Sequence, residues 1–184
     1  MNKKQLLAPA LLSAFMLSGC SPWYYHNDIE DDDLVEVSYN AVDQLLLNLK
    51  QPLPKGSLVV INSMVNVDDL GQTLPFGRIV SDQLTSSLHR AGYRVMGMEL
   101  PTEIFAKNDA GILQIPEKTK DALNAVHASA IVIGSYAAGR DNVYVTLRVV
   151  DIATQNFIAS TDYSIPRGPD AKVLTTPPKP KDKE

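Results

Sequence analysis

The cysteine at position 20 is the residue of this chain whose chemistry is easiest to assign. It is the single cysteine among 184 residues, and it follows Leu17, Ser18 and Gly19. A basic start, a short apolar stretch and small residues before a cleavage site are typical of an export signal. With cysteine at the cleavage point, the pattern predicts a lipoprotein signal that is cut between Gly19 and Cys20, after which the Cys20 thiol is acylated. The alternative is a core cysteine after a short buried helix. A buried helix, however, gives no reason for a cysteine at this particular position.

Acylation of Cys20 would decide where the protein resides. Two or three acyl chains, at roughly 0.8 kcal/mol per buried CH₂, hold a protein on a membrane essentially permanently. No other stretch approaches the roughly 20 apolar residues of a membrane-spanning helix. Ser21 occupies the position where an aspartate is the usual signal for retention at the inner membrane. We therefore expect a lipid-anchored outer-membrane protein whose folded part faces the periplasm.

Composition divides the chain into four stretches. Residues 1–19 are the predicted signal peptide, and their removal leaves 165 residues with a net charge of −6, which gives no electrostatic reason to bind nucleic acid. Residues 20–33 are predicted to be the lipidated cysteine and an acidic tether that reaches about 45 Å when fully extended. Residues 34–166 carry the periodic hydrophobicity. Residues 167–184 combine four prolines with four lysines and are predicted to be disordered.

The hydrophobic pattern of residues 34–166 predicts a single α/β domain. Helical spacing begins after Asp33, at Pro75 and at Pro116, and five apolar stretches predict strands at 57–65, 93–98, 130–137, 143–151 and 156–165. Two right-handed β-α-β crossovers followed by a meander give a mixed five-stranded sheet. Its predicted order is 2-1-3-4-5, with strand 4 antiparallel and helices on the faces.

Asp68, Asp69 and Arg78 are the candidate binding residues. The two aspartates follow the first strand, at the edge where open α/β sheets bind ligands. As neighbours they point apart, so they do not form a general acid-base pair. The alternative is that they serve the turn and the N-terminus of the next helix. Arg78 lies in the first turn of that helix, where a cation is unfavourable unless a carboxylate compensates. It is therefore expected either to pair with Asp68 or Asp69 or to be solvated.

No stretch of sequence predicts catalysis, a metal or a cofactor. The three histidines, His26, His89 and His127, are scattered without the spacing of metal ligands. No phosphate-binding glycine motif is present, and Ser135 lacks the flanking glycines of a nucleophile elbow. We therefore expect a protein that is not an enzyme and that requires neither a metal nor a cofactor.

Several local strings, in order and spacing, resemble the FlgO domain. They are SMVNVDDL at 63–70, FGR at 76–78, AGYRV at 91–95, GSY at 134–136, VYV at 143–145 and RVVD at 148–151. The resemblance runs from about Asn40 to Asp162. It implies an outer-membrane lipoprotein associated with the sheathed or polar flagellum of gram-negative bacteria. It also implies a fold similar to the N-terminal domain of TolB and to the lipoprotein activators of penicillin-binding proteins.

These observations leave three hypotheses for a non-catalytic binding or assembly module. The first is a component of flagellar outer-membrane assembly, stability and motility, with envelope or flagellar proteins as partners. The second is an outer-membrane activator of a peptidoglycan synthase, and the third is an envelope module unrelated to the flagellum. A short tether argues against the second, because an inner-membrane enzyme lies beyond its reach. A homo-oligomer is compatible with each.

Overall fold

A computed structural model of the protein describes residues 29–99 and 115–178. The predicted signal peptide, the cleavage site at Gly19 and Cys20, and the last six residues of the chain lie outside the described residues. In chain order the described elements are α1 (Leu34–Leu47), β1 (Leu58–Ile61), β2 (Val65–Asn66), α2 (Pro75–Arg90), β3 (Arg94–Gly97), α3 (Glu117–Ala125), β4 (Ala128–Ala138), β5 (Asn142–Asp151), β6 (Phe157–Pro166) and α4 (Pro169–Leu174).

The strands form one mixed sheet in the order β3-β1-β4-β5-β6, with β2 beside β4. Strand β1 is parallel to both β3 and β4, whereas β5 is antiparallel to β4 and to β6. The predicted α/β class and the predicted antiparallel fourth strand are therefore confirmed. We call the edge where β1 and β4 begin the amino edge, and the opposite edge the carboxyl edge.

The predicted first strand, 57–65, is the one difference in the sheet, because the structure divides it into β1 and β2. Ile61 pairs with Val132, and Val65 pairs with Ser135. Three residues therefore separate the two pairs on the side of β1 and β2, and only two separate them on β4. The Met64 amide donates to Ser81 Oγ on α2 at 3.0 Å instead of to the sheet. Hydrogen bonding to the helix thus interrupts a strand that the apolar run alone predicts to be continuous.

Helices cover both faces of the sheet, as predicted. The main core lies between the sheet and helices α1 and α2, and it includes Val42, Leu45, Phe76, Leu84 and Val132. A smaller core on the other face joins Leu123 of α3 to strand residues; its members are Val60, Ile115, Leu123, Ile131, Ile133, Val150 and Ile152. Because both faces of the central strands are buried, their sequences are continuous apolar runs.

Helix α1 begins where the sequence predicts, at Asp33. The Asp33 carboxylate accepts hydrogen bonds from the amides of Val35 (2.9 Å) and Glu36 (3.1 Å). This N-cap satisfies two amides that have no partner within the helix, and a carboxylate there also suits the helix dipole.

The prediction that residues 167–184 form a disordered tail is wrong for its first part. Residues 169–174 form helix α4, in which Ala171 is buried in the main core and Leu174 packs against it. Thr175, just beyond the helix, is also buried. Composition misled the prediction because only a few apolar side chains are needed to hold one helical turn and a half on an existing core.

Candidate functional site

Asp68 and Asp69 lie in an exposed turn directly after β2, at the carboxyl edge of the sheet. Asp69 Oδ1 accepts a hydrogen bond from the Gly71 amide at 3.1 Å, and the Asp69 carbonyl accepts one from the Gln72 amide at 2.9 Å. The Asp68 amide donates to Asn66 Oδ1 at 3.1 Å. The Asp69 carboxylate therefore holds its own turn, whereas the Asp68 carboxylate is exposed to solvent.

The structure does not bring Arg78 together with the two aspartates. Its guanidinium donates to the Thr73 carbonyl at 3.2 Å, and within residues 29–99 and 115–178 it forms no ion pair. The aspartates also do not cap α2, because the N-cap residue is Leu74 and Pro75 follows it. Of the two alternatives for Arg78, the pairing with an aspartate is not found and the side chain is exposed; the expected helix cap is wrong, and the predicted role in the turn is found for Asp69.

The Leu74 amide at the start of α2 is satisfied by a residue that the sequence analysis did not single out. It donates to the hydroxyl of Tyr136 on β4 at 3.3 Å. The Tyr136 ring is fully buried and lies 5.0 Å from the Phe76 ring, centroid to centroid. Burial raises the pKa of Tyr136, and the hydrogen bond from Leu74 partly offsets that rise. A buried side chain on the sheet thus fixes the beginning of the helix that carries Arg78.

Gly77 lets α2 approach the sheet closely. A β-carbon on residue 77 would collide with the Met64 carbonyl oxygen and would lie 3.0 Å from the Tyr136 ring. The Ser81 hydroxyl, one turn later, donates to the Gly77 carbonyl at 2.7 Å and accepts from the Met64 amide at 3.0 Å. Gly134 is similarly constrained, since a β-carbon there would lie 2.9 Å from Leu147 and 3.0 Å from Met64.

These contacts give three of the six FlgO-like strings a common physical basis. Met64, Gly77, Gly134 and Tyr136 come from three different strings and meet at one junction between α2 and the sheet. Nothing in their spacing in the sequence shows that they touch. These three strings therefore contain the residues that hold α2 at the carboxyl edge of the sheet.

A second junction at the same edge joins the two ends of the domain. The Asp31 carboxylate accepts hydrogen bonds from the amides of Asp170 (2.7 Å) and Ala171 (3.0 Å), the first turn of α4. Arg167, just before α4, donates to the Gly139 carbonyl at 3.0 Å and to Thr175 Oγ1 at 3.2 Å. We call the contact between Asp31 and α4 the clasp. Because of it, the part of residues 20–33 that can act as a free tether ends before Asp31.

Within 29–99 and 115–178, no group of three or more histidine, cysteine, aspartate or glutamate side chains is arranged to hold a metal ion. Over the same residues, none of the helices is both long and apolar enough to cross a membrane.

The fold is similar to that of two solved structures. They are the LpoB C-terminal domain from Salmonella enterica and the LpoB C-terminal domain from Escherichia coli, each 15% identical to this chain with a TM-score of 0.51. Each comparison covers 72% of this chain and 98% of the LpoB domain. At this identity the likeness concerns the fold alone. A search of curated proteins finds no match.

The family comparison covers most of the domain described above. The model of the FlgO protein family matches residues 39–170. That range begins within α1, ends in the first turn of α4 and includes the junction formed by Met64, Gly77, Gly134 and Tyr136. The resemblance that the local strings indicate is therefore confirmed, and the chain belongs to the FlgO protein family.

Proposed function

We propose that this protein is a non-catalytic outer-membrane lipoprotein that contributes to the assembly or stability of the flagellum at the outer membrane. The observation that carries the proposal is the family match over residues 39–170. The strings that indicate the family also imply an outer-membrane lipoprotein associated with a flagellum. The lipoprotein signal that ends at Gly19 and Cys20 independently supports the lipid anchor.

The clasp supports a role close to the membrane. With Asp31 fixed on α4, only ten residues, 21–30, separate it from the predicted lipidation site at Cys20, and ten residues span at most about 35 Å. The thirteen-residue tether expected from the sequence is shortened accordingly. A domain held this closely suits partners within or just below the outer membrane, such as flagellar envelope proteins.

The carboxyl edge of the sheet is where we place the contact with such a partner. Asp68 and Arg78 are exposed there, and both side chains are free to meet another protein because neither forms an ion pair within the described residues. The neighbouring side chain of Val67 is 54% exposed and adds an apolar contact to this surface. Behind this surface, the hydroxyl of Tyr136 holds the start of α2 through the Leu74 amide.

A second candidate is an outer-membrane activator of a peptidoglycan synthase. It is favoured by the fold, which is similar to that of the LpoB C-terminal domain. The short tether argues against it, because residues 21–30 do not carry the domain across the cell wall to an inner-membrane enzyme. An envelope module without a flagellar role is the third candidate.

Deletion of the gene separates the three candidates. The flagellar proposal predicts reduced swimming in soft agar, with normal growth rate, normal cell shape and unchanged resistance to β-lactams. Restoration by the wild-type gene, and not by a Cys20→Ser gene, would attribute the defect to the anchored protein. Normal swimming together with β-lactam sensitivity would instead establish the synthase activator. Normal behaviour in both assays would contradict both of these roles.

A further inference from the structure

Basic residues gather at the amino edge of the sheet although the protein as a whole is acidic, with a net charge of −4. Three loops meet there, residues 50–57, 89–94 and 126–129, and together they hold four lysines and arginines, two histidines and no aspartate or glutamate. We call this surface the basic edge; it consists of Lys50, Lys55, His89, Arg90, Arg94 and His127. All six side chains are exposed.

Backbone pairing places the three loops next to one another. The Gly56 amide donates to the Gly92 carbonyl at 2.8 Å, and the Arg94 amide donates to the Ser57 carbonyl at 3.0 Å. Ala128, directly after His127, pairs with Leu58 on the other side of β1. Except for Lys50, whose amide donates to the Ile158 carbonyl of β6 at 2.7 Å, the basic residues are therefore neighbours on one surface.

Two of the cations are held in place by aromatic rings instead of by carboxylates. Lys55 Nζ lies 4.3 Å from the centroid of the Tyr93 ring, and Arg90 Cζ lies 4.4 Å from that of Tyr39. Within residues 29–99 and 115–178, none of the six basic-edge residues forms an ion pair. The neutral rings thus orient the charges of Lys55 and Arg90, and these charges remain available to a partner.

A purely structural explanation accounts for only part of this surface. His89 and Arg90 lie in the last turn of α2, where a cation suits the helix dipole. Lys55 and Arg94 lie on a loop and a strand, so the dipole of α2 does not explain them. Asp151, at the end of β5, forms no ion pair with them among the described residues; its Oδ1 accepts hydrogen bonds from the amide and hydroxyl of Thr154, both at 2.7 Å.

We propose that the basic edge is the docking surface for an acidic segment of a periplasmic protein. Charge complementarity argues for an anionic partner. The position of the tether argues against the lipids of the protein's own membrane, because Asp31 fixes the tether at the carboxyl edge, opposite the basic edge. The exclusion of the protein's own membrane rests on the lipid anchor of the proposed function. The binding of an acidic segment does not depend on that anchor.

The test uses the full-length mature protein, purified in detergent, and a fluorescein-labelled peptide of ten glutamates as the probe. Fluorescence anisotropy should show saturable binding that weakens as salt is raised. The double variant Lys55→Glu/Arg94→Glu should weaken binding at least tenfold. The matched control Lys118→Glu/Lys172→Glu changes the net charge equally at exposed positions elsewhere and should stay within twofold of the wild type.

Three outcomes would overturn the proposal. They are equal weakening by both double variants, no binding of the peptide by the wild type, and binding by the wild type to isolated peptidoglycan or anionic vesicles but not to the peptide. If Lys55→Glu/Arg94→Glu lowers the melting temperature, the neutral Lys55→Gln/Arg94→Gln pair replaces it. A Cys20→Ser protein should bind the peptide like the wild type, so a failure of the anchor hypothesis is distinguishable from a failure of this one.

Discussion

Asp31 and Gly168 approach so closely that a β-carbon on residue 168 would lie 2.6 Å from both the backbone nitrogen and the carboxyl carbon of Asp31. Gly168 has a φ of −71° and a ψ of −167°, an extended conformation that any residue adopts. Its lack of a side chain is therefore required by the neighbouring Asp31 and not by its own backbone. The two ends of the domain are fitted to each other at this point.

The clasp predicts that two unrelated substitutions have the same local effect. Asp31→Ala removes the acceptor of two α4 amides and should cost about 1 kcal/mol, as other N-cap losses do. Gly168→Ala should displace Asp31 by steric overlap while leaving its carboxylate intact. Both should raise amide hydrogen exchange in α4 about fivefold, with little change in β4 and β5.

Asp32→Ala is the matched control for the clasp, because Asp32 is exposed and adjacent to Asp31. Hydrogen exchange in α4 should stay at the wild-type rate in this variant. Unchanged exchange in both Asp31→Ala and Gly168→Ala would show that α4 is held by Ala171 and Leu174 alone.

Gly77→Ala should be strongly destabilising. The added methyl group collides with the Met64 carbonyl oxygen on the backbone, which has no flexible side chain with which to yield, so overpacking of about 1–3 kcal/mol is expected. Gly97→Ala is the control, since a β-carbon there meets nothing within 4 Å and should change stability by less than about 0.5 kcal/mol. Urea denaturation measures both. Similar midpoints for the two variants would contradict the close approach of α2.

Two buried tyrosines predict a loss of stability at high pH. Burial raises the pKa of both Tyr136 and Tyr163 above the ordinary value of 10.0. Since folding keeps these phenols neutral, their contribution to stability is fully present below pH 10 and is lost as pH rises above it. Absorbance of phenolate should show two late-titrating tyrosines, and Tyr136→Phe and Tyr163→Phe should each remove one of them. Titration of all tyrosines near pH 10 in the folded protein would refute this.

The same two substitutions should differ in their cost at neutral pH. Tyr136→Phe leaves the buried Leu74 amide without its acceptor and should cost about 1–3 kcal/mol. The buried Tyr163 hydroxyl lies near Ser38, which lowers its pKa, but has no hydrogen-bond partner of good geometry among the described residues, so Tyr163→Phe should cost less than Tyr136→Phe. Thermal unfolding at pH 7 compares them. A larger loss of stability in Tyr163→Phe than in Tyr136→Phe would contradict the role of the Tyr136 hydroxyl as the acceptor for Leu74.

The proposed lipid anchor predicts the behaviour of a Cys20→Ser protein. Wild-type protein should incorporate an alkyne analogue of palmitate and sediment with the outer membrane, whereas Cys20→Ser should accumulate as a larger, unlabelled precursor. Ser21→Ala is a control for substitution beside the cleavage site and should be processed normally. Equal labelling of the wild type and Cys20→Ser would refute acylation at this residue.

The sequence predicts the order of the sheet because crossovers and hairpins constrain it strongly. It predicts the start of α1 at Asp33 because a cap acts through neighbours in the chain. It does not predict the division of the first strand, since the bond from Met64 to Ser81 joins residues 17 positions apart. Hydrophobic periodicity predicts only local structure, and the contact between Met64 and Ser81 is not local.

The candidate site shows the same contrast between local and distant contacts. That Asp69 serves its own turn could be expected, because its partners Gly71 and Gln72 follow directly. Asp31 is 139 residues from its partner Asp170, and no spacing rule connects them. The resemblance to FlgO proteins locates the important residues of the α2 junction without showing that they touch.

The position of the protein in living cells tests the flagellar role most directly. A functional fluorescent fusion, made at the C-terminus and expressed from the native locus, should form foci at the flagellar base. These foci should disappear in a strain that lacks flagellar basal bodies, while the abundance of the fusion stays the same. A uniform signal around the envelope, unchanged by the loss of basal bodies, would contradict the flagellar role.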